Sequence, residues 1–193
     1  MSYQVYTTEA LVCGSFDNNT ADKSFLLFTR DAGMLYASAR SVREERSRQR
    51  YALQDFSLIT VSLIRGKTGW RIGSVDSDSN LFRIALTREA RGSVVRTLKL
   101  VRRYVQGEEP HVKLYAELIT ALQYLTQSEI PHRLLAEEVI AARFFYELGY
   151  ISDSVQLATV FTGSLAQALE STPVVSLPSL QIITAQAAAV SQL

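Results

Sequence analysis

The spacing of apolar and polar positions changes once along the chain. Up to Asn80 they alternate in short runs, and beyond it the apolar positions return every three to four residues. The first pattern predicts strands and the second predicts helices. Five strands follow: Tyr3–Val12, Lys23–Thr29, Met34–Ala39, Asp55–Ile64 and Trp70–Val75. Gly14–Asp22 (GSFDNNTAD) reads as a loop, and Asp76–Asn80 (DSDSN) as the polar end of the region. Asp31-Ala32-Gly33 and Gly66-Lys67-Thr68-Gly69 read as tight hairpin connections, where glycine supplies the positive φ. Ser41–Arg50 (SVREERSRQR) has no helical apolar stripe and reads as a loop or arm.

Five short strands joined by turns predict a small closed barrel rather than βαβ units. A five-stranded Greek-key barrel of this size is the OB-fold. An SH3-like barrel competes, because strand count alone does not separate the two. The expected class is α+β, with an OB-fold barrel over residues 1–80 and a helical domain over 81–193.

In the second region Val94, Leu98, Val101 and Val105 share one helical face, with Arg96, Lys99 and Arg103 across from them. Gly107 ends this helix and Pro110 helps open the next, whose stripe is Leu114, Leu118, Ala121, Leu122 and Leu125. Pro131 starts a third helix, which runs to Gly149. Ser154–Leu169 predicts a fourth, Thr172–Pro178 a linker punctuated by two prolines, and Leu180–Leu193 a last helix. From Ser154 onward the only charge is Glu170, so this stretch is expected to pack on the bundle or on another subunit.

Composition excludes several classes. With 193 residues, 47% hydrophobic and 20% charged, the chain is an ordinary globular one. Its single cysteine, Cys13, excludes an intramolecular disulfide and a Cys-rich zinc cluster. MSYQVYTTEA lacks the pattern of a signal peptide and no long apolar run follows, so the expected address is cytoplasmic. Phosphate-loop, dinucleotide, hydrolase and zincin signatures are all missing. His111 and His132 begin different helices and predict no metal site. Glu44-Glu45 and Glu137-Glu138 are adjacent pairs, which do not face each other on a helix or strand. The chain therefore reads as a non-enzyme without a cofactor.

Charge changes the picture more. Met1–Arg103 carries 17 Lys and Arg against 10 Asp and Glu, whereas Tyr104–Leu193 carries 3 against 9. Such a split fits a polyanion-binding face with a separate scaffold, or two oppositely charged surfaces that attract each other. Arg40, Arg43, Arg46, Arg48 and Arg50 fall within eleven positions, and Arg65, Lys67 and Arg71 surround the second hairpin. A further set includes Arg88, Arg91, Arg96, Lys99, Arg102 and Arg103. The expected DNA contacts are the five arm arginines, Arg65, Lys67 and Arg71, with Arg96, Lys99 and Arg103 extending the path, because guanidinium groups grip phosphate bidentately. Tyr36, Tyr51, Phe56 and Trp70 are candidates for base stacking, with one or two expected to be exposed.

Phe28-Thr29, Gly33, Arg40-Ser-Val-Arg43 and Ala52-Leu-Gln-Asp-Phe56 resemble, in order and spacing, the N-terminal domain of the RecO family of bacterial recombination mediators. Leu148-Gly149-Tyr150 after an amphipathic helix resembles the family's Leu-Gly-Tyr. Asp55 replaces the usual Pro, and Ser41-Val42 the usual Gly-Ala. The resemblance implies an OB-fold followed by helices. It also implies binding of single- and double-stranded DNA, association with the nucleoid, strand annealing, and RecA loading together with RecR on DNA covered by single-strand-binding protein. Many members carry a four-cysteine zinc module after Leu-Gly-Tyr; Ile151–Ser164 has no cysteine, so zinc is not carried over. An alternative reading is a RecO-like adaptor whose barrel binds a protein and whose apolar C-terminus assembles subunits.

Overall fold

A computed structural model describes residues 5–18, 20–152 and 157–190. Tyr3, the start of the predicted fourth helix at 154–156 and residues 191–193 lie outside the described residues. The strands are β1 (Val5–Asp17), β2 (Lys23–Thr29), β3 (Gly33–Ala39), β4 (Ser57–Gly66) and β5 (Gly69–Asn80). They close into a barrel in the order β1-β2-β3-β5-β4. All neighbours are antiparallel except β3 and β5, which pair in parallel at Ala37–Trp70 and Ser38–Arg71. This is the OB-fold, with β1 pairing with both β2 and β4.

The β2 sequence KSFLLFT is apolar on both faces because both are covered. Phe25 and Leu27 point into the barrel with Val12, Leu35 and Ala37. Leu26 and Phe28 point outward into a second core shared with the helices. Between Val12 and Gly14 the register of β1 shifts against β2. The bulge re-aims the strand, so Leu11, Gly14 and Phe16 all face outward. The structure extends β1 through Gly14–Asp17, which the polar composition had placed in a loop. It also extends β5 through Asp76–Asn80, held by pairing of Asn80 with Ser57 and Asp76 with Thr60. That part of β5 faces water, so polar side chains are tolerated there.

The helices are α1 (Gln49–Ala52), α2 (Leu81–Ile84), α3 (Arg88–Tyr104), α4 (Val112–Leu125), α5 (Arg133–Glu147), α6 (Ala158–Phe161), α7 (Leu165–Ser171) and α8 (Leu177–Val190). Thr87 caps α3 by accepting from the Ala90 N–H at 3.1 Å. Val94, Leu98 and Val101 bury their side chains against Leu11, Cys13 and Leu26 of the barrel. Each such side chain contributes roughly 1.5–3 kcal/mol. Phe28 and Tyr115 meet edge to face across the same join, with centroids 5.4 Å apart. The outer face of the barrel and the helices therefore share this second core, distinct from the one inside the barrel.

The predicted fourth helix is two short ones. Gly163 adopts φ +72 and ends α6, and Ser164 with Gln167 forms a capping box that starts α7. The last helix begins at Leu177 rather than Leu180, since Pro178 is tolerated in a first helical turn. Among the described residues no single helix is long and apolar enough to cross a membrane.

Candidate nucleic-acid interface

The arm between β3 and β4 is anchored rather than free. Val42 is 2% exposed and sits in the barrel core with Leu53. Ser41 takes φ +52, and its N–H donates to Asp22 Oδ1 at 2.8 Å. The Arg43 N–H donates to the Ala21 carbonyl at 3.1 Å. The segment read as a loop or arm is thus docked: one apolar residue among many charges pins it to the barrel, and its last two residues, Gln49 and Arg50, begin α1. A cleft of about 400 Å³ opens beside it, lined by Lys23, Arg43 and Arg50 above Phe25 and Val42.

The eleven expected cations fall into two groups. Four are engaged by carboxylates: Arg43 with Asp17 at 3.6 Å, Arg46 with Glu44 at 2.9 Å, Arg65 with Glu108 at 2.8 Å and Arg96 with Glu137 at 2.7 Å. Arg40, Arg48, Arg50, Lys67, Arg71, Lys99 and Arg103 have no carboxylate within ion-pair distance among the described residues. Arg50 instead covers the Tyr51 ring at 4.8 Å. The structure brings the arm to the mouth of the barrel, and Ser38–Arg71 pairing places Arg71 beside β3. Arg96, Lys99 and Arg103 are exposed on α3, as the helical spacing predicts.

Two of the engaged cations tie the basic half to the acidic half. Burial penalises the Glu137 carboxylate, but the Arg96 guanidinium and the Ser93 hydroxyl outweigh this and hold its pKa below the ordinary value. Glu108 behaves alike: burial opposes its charge, and the Trp70 indole and Arg65 prevail and lower its pKa. The indole N–H is buried and forms no hydrogen bond of standard geometry among the described residues, so the firm partner of Glu108 is Arg65 at 2.8 Å. Glu117 pairs with the buried Arg143 instead, and Glu138 accepts from Thr184. Cys13 is fully buried, and burial pushes its thiol up to about 12, which leaves it protonated and unreactive.

The aromatic candidates also divide. Phe56 stacks on Phe82, and Trp70 lies edge-on to Tyr6 beneath Arg65, so both are structural. Tyr36 and Tyr51 are exposed, at 59% and 61%. Sequence reasoning missed Phe16, placed in a loop, and gave Arg102 no individual role. The Phe16 ring is exposed and sits 5.9 Å from that of Tyr36. The Arg102 guanidinium lies over Gly14, where a Cβ would come within 3.3 Å of it. The signal for Phe16 was the β alternation itself, once a bulge at Cys13 is allowed.

Residues 1–77 match the family described as "Recombination protein O N terminal". The chain is 32% identical over 142 residues to a protein of Myxococcus xanthus named "DNA repair protein RecO", covering 70% of this chain and 57% of that one. It is 26% identical over 154 residues to a protein of the same name from Desulfitobacterium hafniense, covering 80% and 55%. The chain thus spans little more than half the length of these relatives.

Proposed function

Because this chain belongs to the RecO family, we propose that it is a DNA-binding mediator of recombination and repair, non-catalytic, acting on single- and double-stranded DNA through the basic face of its barrel. The observation that carries this reading is the set of cations without carboxylate partners on that OB-fold: the exposed Arg40, Arg48, Lys67 and Arg71 and the half-buried Arg50, continued on α3 by the exposed Lys99 and Arg103. Each can displace a counterion from a phosphate, and their dispersion over the surface suits backbone tracking rather than base reading. Strand annealing, RecA loading and cooperation with RecR follow from the family and belong to the same proposal. Docking of the acidic tail of single-strand-binding protein has less support. The apolar cavity between α4 and α5 has Arg143 at its wall, and Glu117 already neutralises that cation.

The test is binding of a labelled single-stranded oligonucleotide across a salt series, followed by annealing of complementary oligonucleotides. A slope of several in log affinity against log salt, at about 0.7 per phosphate contact, supports the reading. No binding at low salt favours the adaptor alternative.

A further inference from the structure

α3 and α4 cover the middle of the outer face of the β1–β2–β3 sheet. Leu11, Leu26, Phe28 and Met34 lie under the helices, whereas Phe16 and Tyr36, on the same face, remain open to water at 43% and 59% exposure. The two adjacent exposed rings form an apolar spot beside that covered middle. Charge frames it on both sides. Phe16 pairs with Ser24, Ser24 with Ser38 and Ser38 with Arg71, so one cross-strand row runs from the ring pair to a cation without a carboxylate partner. On the opposite side α3 lays Arg102 over Gly14, two residues before Phe16 on the same outward face. Arg102 has no carboxylate within ion-pair distance among the described residues. A Cβ at position 14 would come within 3.3 Å of the guanidinium carbon, so a larger side chain there has to displace it.

We propose that Arg102, Phe16 and Tyr36 form one composite site, shared by helix and barrel, for an unpaired nucleotide of single-stranded DNA. The site rests on the DNA-binding reading above and deepens it. The two rings lie 5.9 Å apart at an interplanar angle of 54°, and both are exposed, so a planar base can lie on the face of one of them. Arg102 takes the phosphate on one side and Arg71 one on the other. Bases in a duplex have their faces occupied by neighbours, so this site prefers single strands, whereas the remaining cations bind either form.

The experiment compares an oligothymidylate with a duplex of equal length by fluorescence anisotropy at fixed salt. The double variant Phe16→Ala/Tyr36→Ala is expected to lose about tenfold or more on the single strand, in line with a stacking contact, and less than about twofold on the duplex. Tyr36→Phe keeps the ring and is expected to keep both affinities, which guards against misfolding as the cause. Arg102→Gln and Gly14→Val, which removes or displaces the same cation, are expected to flatten the salt slope equally. A 5-iodouracil probe is expected to crosslink to Phe16 or Tyr36. Equal losses on both DNA forms, or unchanged single-strand binding in the double variant, overturn the composite site and leave the general reading intact. Failure of the unaltered protein to bind either DNA overturns both.

Discussion

The Met34 N–H donates to the Gly107 carbonyl at 2.8 Å, so a strand of the barrel holds the turn between α3 and α4 directly. Gly33 beside it takes φ +64 to make the β2–β3 hairpin. The same glycine gives the turn room to approach, because a Cβ there would come within 2.7 Å of the Gly107 carbonyl oxygen and close on Glu109 as well. One residue thus serves a hairpin and the join between the two halves.

Gly33→Ala is accordingly expected to destabilise the protein by more than about 2 kcal/mol, combining left-handed strain with a backbone collision. Urea unfolding checks this through the midpoint. A change within about 0.5 kcal/mol, the range of ordinary surface substitutions, would show that the turn can move aside.

The barrel was legible in the sequence and its outer face was not. KSFLLFT announces a strand, yet its apolar residues on both faces say nothing about what covers Leu26 and Phe28. Asp76–Asn80 carries no strand signal, because that stretch is held by pairing with β4 and faces water. Val42 is the one apolar residue in a charged run, too little to reveal an anchored arm. On α3 the helical spacing placed Arg96, Lys99 and Arg103 outward. It could not say that Glu137, more than forty residues away on α5, would capture the first of them, since that choice is made by tertiary packing.

The anchored arm separates two effects. Replacing Arg43, Arg46, Arg48 and Arg50 by Ala is expected to weaken DNA binding for all sequences alike and to flatten the salt slope by up to about 0.7 per lost contact. Arg48→Ala is expected to flatten it more than Arg46→Ala, because Glu44 already holds Arg46. Val42→Asp acts through the core, costing more than about 2 kcal/mol of stability. An unchanged melt in Val42→Asp would mean that the arm is not docked.

Arg143 is 7% exposed and binds three acceptors: the carbonyls of Val160 and Gly163 at 2.9 and 3.0 Å, and Glu117 at 3.2 Å. Arg143→Ala is expected to cost about 3 kcal/mol, because it leaves a carboxylate and two carbonyls without their donor. Arg143→Lys is expected to recover little, since an ammonium cannot span all three. Hydrogen exchange should report the loss first in α6 and α7, and a uniform loss over the whole chain would argue against a local clasp.

The pH dependence of stability has a defined sign at Glu137. Its folded pKa lies below its ordinary value of 4.5, so it contributes stability that is present above pH 4.5 and disappears as pH falls from there through the lower folded value. Glu137→Gln is expected to be less stable than the unaltered protein at neutral pH, with the gap closing below pH 4.5. A gap that stays constant across this range would mean that the charge of Glu137 contributes nothing.

The three α3 cations expected to contact DNA, Arg96, Lys99 and Arg103, should part company under charge reversal. Arg96→Glu sets a second carboxylate against Glu137, whose side chain is only 14% exposed. The exposed side of Arg96 screens part of the repulsion, so the expected cost is about 2 kcal/mol, or roughly 4–8 °C in melting temperature. Lys99→Glu with Arg103→Glu meets no partnered acid, so the melt should stay within about 2 °C. Annealing of complementary strands should nevertheless fall, because long-range attraction for phosphate is what is lost. Melting curves and annealing rates on the two variants decide between brace and path at each position. If the Lys99→Glu/Arg103→Glu protein anneals normally, DNA does not reach α3, and the basic face ends at the barrel. If Arg96→Glu melts like the unaltered protein, Glu137 has another way to satisfy its charge, and Arg96 is free to join the path.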